Sequence, residues 1–458
     1  MNAETDLTGL VVRTALTSSL DDIPEATLQV IRFAILDFLA CCVAGSESDA
    51  ARAVTQWAID TSDRGDATVV GTSKRTSIPL AALANGTAAH ALDFDDVSMR
   101  MIHPSATLVP VLLAVGEARR LTGRALMEGY VAGFEVQARL CRELNPEHYE
   151  TGWHSTGTVG ALGAAMAASR IYALDEEHTR WALGIAASSA SSIRKNFGSM
   201  VKPLHAGQAA LHGIQAADLA SLGFTADRSV LEGKNGFLEV FSTLDLVPSL
   251  YQAFGDGAAY ELVESGIAIK RFACCGAIHS AQDAMLNLIE THGFHPNEIE
   301  SIECRVNRLI PNILVHHVTQ DPLEGKFSME YSLAVCLIDG KAGLAQYSYE
   351  RARDPLLVPI MERVHVIVDE SVPVNLAFFP SIVTVTLNDG RQFSTRVDVP
   401  KGYPSRPLSE AEVIEKARSC CVSVLDENQI ETLIATILDL ENVPDVSVLA
   451  SSLASTRN

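Results

Sequence analysis

The chain has 458 residues, of which 47% are hydrophobic and 20% charged, a length and composition that call for two or three ordinary globular domains. Against 56 Asp+Glu stand 35 Lys+Arg, a formal net charge of -21. That balance argues against nucleic acid or an anionic membrane as partner, because phosphate binding needs a basic surface. A small anionic substrate in a local basic pocket remains compatible with it.

Among nine Cys are three adjacent pairs, Cys41-Cys42, Cys274-Cys275 and Cys420-Cys421. Neighbouring cysteines rarely bridge each other, and no CxxC or Cys/His ligand spacing occurs, so a reducing, cytoplasmic setting is expected. The opening Met1-Asn2-Ala3-Glu4-Thr5-Asp6 is acidic and polar, without the basic start of a secretory leader. No uncharged apolar run reaches about 18 residues, so no membrane span is expected.

In chain order, Asp22-Ile23-Pro24-Glu25 opens a long helix with Leu28, Ile31, Ile35, Phe38 and Leu39 at helical spacing, closed by Gly45. Helices follow over residues 50–60 and 79–91, the second rich in Ala, with a short extended piece at Ala67-Thr68-Val69-Val70 between them. Ser105 is positioned to cap a helix over 108–120, and 125–144 reads as another. Residues 159–172 have no polar face and predict a fully buried helix. Further helices cover 177–191 and 202–222.

Near residue 265 the pattern changes. A helix over 280–291 precedes alternating strands at 299–306 and 364–368, with a helix over 328–337 between them. Residues 381–397 read as a hairpin around Asn388-Asp389-Gly390. Pro400, Gly402, Pro404 and Pro407 mark a linker, and Ser409 with Glu412 forms a capping box for a closing helical segment. The expected fold class is mainly α: a large all-helical domain over residues 1–265 and 405–458, and a smaller α+β domain over 266–404.

The chemistry concentrates in His90-Ala91-Leu92-Asp93-Phe94-Asp95-Asp96 and His103-Pro104-Ser105. Four loops place basic residues at a helix entry: His103, His154, Lys202 with His205, and Lys270 with His279. Helix N-termini attract anions, and basic side chains there add to the pull. If these loops converge, they form a site for a substrate with two or three carboxylates. Asp93, Asp95 and Asp96 would then supply a base or orient the imidazoles, a set suited to proton transfer beside a carboxylate. Each residue also has a plain structural role open to it: His103 as a cap, Lys202 as a surface lysine, Tyr331 as a packing residue rather than an acid. No GxGxxG after a strand, GxxxxGK[ST], HExxH or GxSxG occurs, so no cofactor and no metal are expected.

At these same loops the chain resembles the MmgE/PrpD family. The matching segments are His90 to Asp96 with His103-Pro104-Ser105, Gly152-Trp153-His154-Ser155-Thr156-Gly157, Lys202-Pro203-Leu204-His205-Ala206-Gly207, Lys270 to His279, and Lys326 to Tyr331. The family includes 2-methylcitrate dehydratase, cis-aconitate decarboxylase and iminodisuccinate epimerase. The resemblance implies a large all-helical domain built from both chain ends, a smaller α+β lid domain, a homodimer and no organic cofactor. By position it implies catalytic roles for Asp93, His103, His154 and Lys202. Substrate-binding roles are expected for His205, Lys270, His279, Arg194 and Tyr331.

Where the family's dehydratases tend to carry Asn-Asp-Thr, this chain has Asp95-Asp96-Val97; the family's decarboxylases also tend to have Thr at that last position, and Val97 can neither donate a proton nor hold a hydroxyl, which counts against both reactions. Epimerisation needs only an acid, a base and carboxylate anchors. The expectation is therefore an epimerase of an iminodisuccinate-type dicarboxylate, with His103 and His154 oriented by Asp93. A lyase is the alternative, dehydrating a 2-methylcitrate-type or decarboxylating a cis-aconitate-type substrate. A non-catalytic carboxylate-binding protein of the same fold is the second alternative.

Overall fold

The chain divides into two units, and it crosses between them more than once. One takes the chain up to Ala91, then Asp95–Ile267, then everything from Ser409 onward; the other takes Leu92–Phe94 and Ala268–Leu408. The structure, a computed structural model, describes residues 6–375 and 378–455. Met1 to Thr5, most of the polar opening from which no leader was expected, lie outside the described residues.

The first unit is helical. Its longer elements before residue 222 are α1 (Leu7–Thr17), α2 (Glu25–Gly45), α3 (Asp49–Thr61), α4 (Ile78–His90), α5 (Pro104–Arg119), α6 (Gly123–Leu144), α7 (Ser155–Ile171), α8 (Glu176–Ser189) and α9 (Val201–Ser221). The sequence reading contains no α1. Asp6 caps it by accepting from the Gly9 N–H, and Leu7, Val11, Val12 and Ala15 form its buried stripe. Helix α5 starts at Pro104, earlier than Ser105 as a cap would allow. Proline suits the first helical turn, and this leaves His103 at the N-cap. Helix α7 is buried from Ser155 to Ser169, as its missing polar face predicts.

Helix α2 is the one helix among the described residues long and apolar enough to cross a membrane. Here it is a core element, buried without interruption from Ile31 to Val43. Its charges are matched inside the protein. Asp37 pairs with Lys416 at 2.5 Å, and Arg32 reaches Glu25 and Glu441, each at 2.5 Å. Lys416 lies on the helix Glu410–Cys421, whose Ser409–Glu412 capping box is formed.

Small residues set how closely the central helices approach. A Cβ on Gly207 of α9 would stand 2.3 Å from the Leu83 carbonyl oxygen and 2.4 Å from Thr87 Oγ1, both on α4. One on Gly86 would stand 2.9 Å from the Gly207 Cα. Only glycine allows the two backbones this contact. The crossing carries His90, at the end of α4, towards Lys202 and His205 at the start of α9.

The second unit holds a four-stranded sheet in the order Val364–Val368, Ile299–Val306, Ser381–Leu387, Gln392–Val397. The first pair is parallel and the other two pairs are antiparallel. The hairpin turns where the sequence puts it, with Gly390 at φ 87°. Helices His279–His292 and Met329–Asp339 pack on the sheet. Ile302, Cys304, Val383 and Val385 supply buried side chains to this core.

Replacing Gly207 with Ala forces α4 and α9 apart. We expect a loss of about 1–3 kcal/mol in chemical denaturation, the usual cost of overpacking a close contact. An unchanged unfolding midpoint would show that the crossing yields freely.

Candidate active site

Helix α4 ends at His90, and the chain then gives Leu92–Phe94 to the second unit before re-entering the helical one at Asp95. Two non-glycine residues in this stretch take left-handed backbone, Asp93 at φ 51° and Met101 at φ 63°. Such conformations cost of order 1 kcal/mol or more and persist where the surroundings enforce them. Here the Met101 N–H donates to the Ser98 carbonyl at 3.2 Å, and Ser98 N–H to the Ile102 carbonyl at 2.9 Å. The tight return delivers His103 to the start of α5, where its N–H donates to Thr156 Oγ1 of α7 at 3.2 Å.

The return brings two imidazoles onto one carboxylate. His90 Nδ1 lies 2.9 Å from Asp95 Oδ2, and His103 Nδ1 lies 3.0 Å from the same oxygen. The two rings are 4.4 Å apart between centroids. Asp95 and His90 side chains are fully buried, while His103 keeps 13% of its side chain exposed. His103 is therefore the member that a small molecule can reach, and Asp95 is its orienting group.

A second pair adjoins the first. His154, at the N-cap of α7, stacks 5.9 Å from His90 and sets its Nδ1 3.1 Å from His205 Nδ1. One of these two nitrogens must carry the proton and the other the lone pair, which fixes opposite tautomers on neutral rings. Phe197 meets His154 edge-on at 4.8 Å, and the buried Lys202 sets its ammonium 5.6 Å from the same ring.

Electrostatics divide the roles. Burial, with Lys202 and His103 nearby, lowers His90 to about 4 despite the pull of Asp95. Burial and Lys202 lower His205 to about 4 as well. Burial, reinforced by His90 and Lys202, holds His154 well below the ordinary imidazole range. Burial would raise Asp95, yet His90 and His103 hold it well below the carboxylate range. The centre thus combines a carboxylate held as an anion, the neutral imidazoles of His90, His154 and His205, the His103 ring and a lysine, a set able to receive carboxylates and to move a proton.

Of the other residues singled out in the sequence, Asp93, Lys270, His279 and Tyr331 belong to the second unit and Arg194 to the first. The Asp93 carbonyl and carboxylate accept from Lys270 Nζ at 2.8 and 3.1 Å, while Asp95 is the acid whose carboxylate stands at the His90 and His103 rings. Lys270 is correspondingly engaged within the second unit, where Lys326 also grips the Leu92 carbonyl. His279 is buried there, its Nε2 3.2 Å from the Cys274 carbonyl oxygen. Tyr331 is buried, and its hydroxyl donates to the Gln346 carbonyl at 2.5 Å. Arg194 donates to the Tyr149 carbonyl at 2.6 Å and lies over the Tyr149 ring at 3.6 Å. Phe197 carried no sequence signal, His90 stood in the conspicuous motif without an assigned role, and Asp95 was grouped with Asp93 and Asp96 as a base or an orienting acid.

His90, Asp95 and His103 also form the one group among the described residues whose ligand atoms, all within 4.8 Å, could close on a cation. At 2.9 and 3.0 Å from a single carboxylate oxygen, both Nδ1 atoms stand at hydrogen-bond distance from it.

Comparison with known proteins agrees with this reading of the motifs. The MmgE/PrpD N-terminal domain matches residues 12–247, and the MmgE/PrpD C-terminal domain matches residues 272–442. The chain is 31% identical over 455 residues to a protein named cis-aconitate decarboxylase from Homo sapiens, covering 94% of this chain and 90% of that one. It is 30% identical over 436 residues to the Mus musculus protein of the same name, covering 92% and 87%. To the Aspergillus terreus protein so named it is 26% identical over 485 residues, covering 99% and 96%.

The lowered histidines give a pH signature. Between about pH 6.5 and about 4 the unfolded chain takes up protons that His90 and His205 refuse when folded, so stability falls as pH falls through that window. We expect the melting temperature to drop between pH 7 and 5, and His205→Gln to remove about one proton from the slope. A flat profile would mean these rings titrate normally in the fold.

Proposed function

Since the chain belongs to the MmgE/PrpD family, we propose that it is a lyase that decarboxylates a small unsaturated tricarboxylate of the cis-aconitate type. The observation that carries the proposal is the His103–Asp95–His90 centre beside Lys202 and the His154–His205 pair. The relatives' names favour decarboxylation over the epimerisation expected from sequence.

Such a substrate has a carboxylate on a carbon next to a C=C bond. Losing CO2 breaks that carbon–carbon bond. Its electron pair shifts through the alkene and comes to rest as the enolate of another carboxylate. A proton delivered to the enolate carbon completes the product. Lys202 offers a fixed positive charge to the carboxylates and to the developing enolate. His103, the more exposed imidazole, delivers its Nε2 proton from the doubly protonated ring and is left as the neutral ring that Asp95 holds by Nδ1. Val97 need not donate anything in this scheme, which removes the sequence argument against decarboxylation. A cytoplasmic homodimer working without an organic cofactor completes the proposal.

The test is incubation with cis-aconitate in deuterated buffer, followed by CO2 release and NMR. We expect CO2 and one carbon-bound deuterium in the product. Deuterium exchange without CO2 would replace the proposal by the epimerase reading. Thermal stabilisation by tricarboxylates with neither outcome would leave a carboxylate-binding protein. His103→Ala lowers kcat by about 10²–10⁴ if it is the proton donor. Asp95→Asn lowers kcat with little change in KM, because it withdraws the orienting anion rather than a substrate contact. Activity near that of the wild type in both variants would remove the centre from the chemistry.

A further inference from the structure

Next to Asp95 is a second buried carboxyl that the scheme above does not use. Asp96 is fully buried. Its Oδ2 accepts from Ser105 Oγ at 2.7 Å, and Ser105 Oγ lies 2.8 Å from Tyr130 Oη on α6. Its Oδ1 has no hydrogen-bond partner among the described residues. Ser105 stands in the first turn of α5, two residues after His103. The Asp95-Asp96 pair therefore grips the start of α5 twice, Asp95 by the His103 ring and Asp96 by the Ser105 hydroxyl.

The surroundings are hostile to a charge on Asp96. The charged or titratable groups facing it are Asp95 in its own segment, Asp37 on α2 and Tyr130 on α6, none of them a cation. Asp37 is itself paired with Lys416. A buried oxygen without a partner costs far less on a neutral acid than on an anion. Two carboxyls that cannot both be ionised divide the roles, and Asp95 is the one facing two imidazole N–H donors.

We propose that Asp96 is a positioning residue that works as a neutral carboxylic acid, tying the α5 start to the Asp95 centre so that His103 is held in line for proton delivery. The inference rests on the decarboxylase reading for its kinetic side only. Burial, with Asp37 and Asp95 adding to it, pushes the Asp96 carboxyl well above the usual range, which agrees with this geometry. Deprotonation of Asp96 then sets an alkaline limit on the activity, since an anion there repels Asp95 and loosens the grip.

The sign is definite. Above about pH 3.8 the unfolded chain has released a proton that the folded chain keeps on Asp96, so wild-type stability declines as pH rises until the folded group titrates. Asn is the isostere of the neutral acid and carries no such proton. Urea unfolding of the full-length wild type and Asp96→Asn from pH 5 to 8.5 should show the ratio of their unfolding constants growing in favour of the variant, by up to about tenfold per pH unit. In decarboxylation, Asp96→Asn should keep kcat within about threefold and lose the alkaline limb of the profile, while Asp96→Ala loses about tenfold or more in kcat with KM nearly constant. Ser105→Ala, which cuts the same tie without touching a carboxyl, should reproduce the kcat loss if Asp96→Ala does not fold. A variant destabilised by the same amount at every pH, or an Asn variant as slow as the Ala variant, overturns the inference. If the wild type does not decarboxylate, the functional reading falls, and the unfolding comparison still decides the state of Asp96.

Discussion

One buried carboxylate oxygen, Asp95 Oδ2, faces two imidazoles at 2.9 and 3.0 Å. A buried anion is tolerated only when donors surround it, and the loss of one donor costs several kcal/mol. That requirement shapes the neighbourhood. It demands that α4 end with His90 beside the α9 start, which the Gly86–Gly207 contact permits. It demands a tight return over 95–103, which the left-handed residues supply. It turns Nδ1 of both rings towards the same carboxylate, which leaves Nε2 of the more exposed His103 for chemistry.

The fold was largely readable because its signals are local. Ala-rich segments with no polar face can only be buried helices, and α7 is one. The Asn388-Asp389-Gly390 turn and the Ser409–Glu412 capping box each specify their geometry within a few residues. Boundaries were less readable. Pro104 and Ser105 both signal a helix start, and the reading chose the serine where the chain starts at the proline. Helix α1 escaped because its stripe is short, and the brief helices Phe237–Phe241, Val247–Phe254 and Glu261–Glu264 span too few turns for a spacing rule to act on.

The candidate site was readable in its residue types and less so in its wiring. His103, His154, Lys202 and His205 stand at helix entries, which the sequence marks. Choosing between Asp93 and Asp95 required the backbone angle at Asp93, which no spacing rule contains. Asp95 and Asp96 look equivalent in the sequence, yet one is held well below the carboxylate range and the other well above it. Burial is common to both, and the difference is the neighbours: two imidazoles for one, a serine hydroxyl and further acids for the other.

The pairing of Asp37 with Lys416 also bears on how the protein is made. Helix α2 is synthesised before the helix Glu410–Cys421 that packs on it and carries Lys416, so this ion pair cannot form until the later segment has been made. Asp37 near the middle of α2 carries a penalty of about 2.5–3.5 kcal/mol against insertion into a bilayer. The same carboxylate that the finished fold neutralises with Lys416 thus opposes misdirection of the unfinished one.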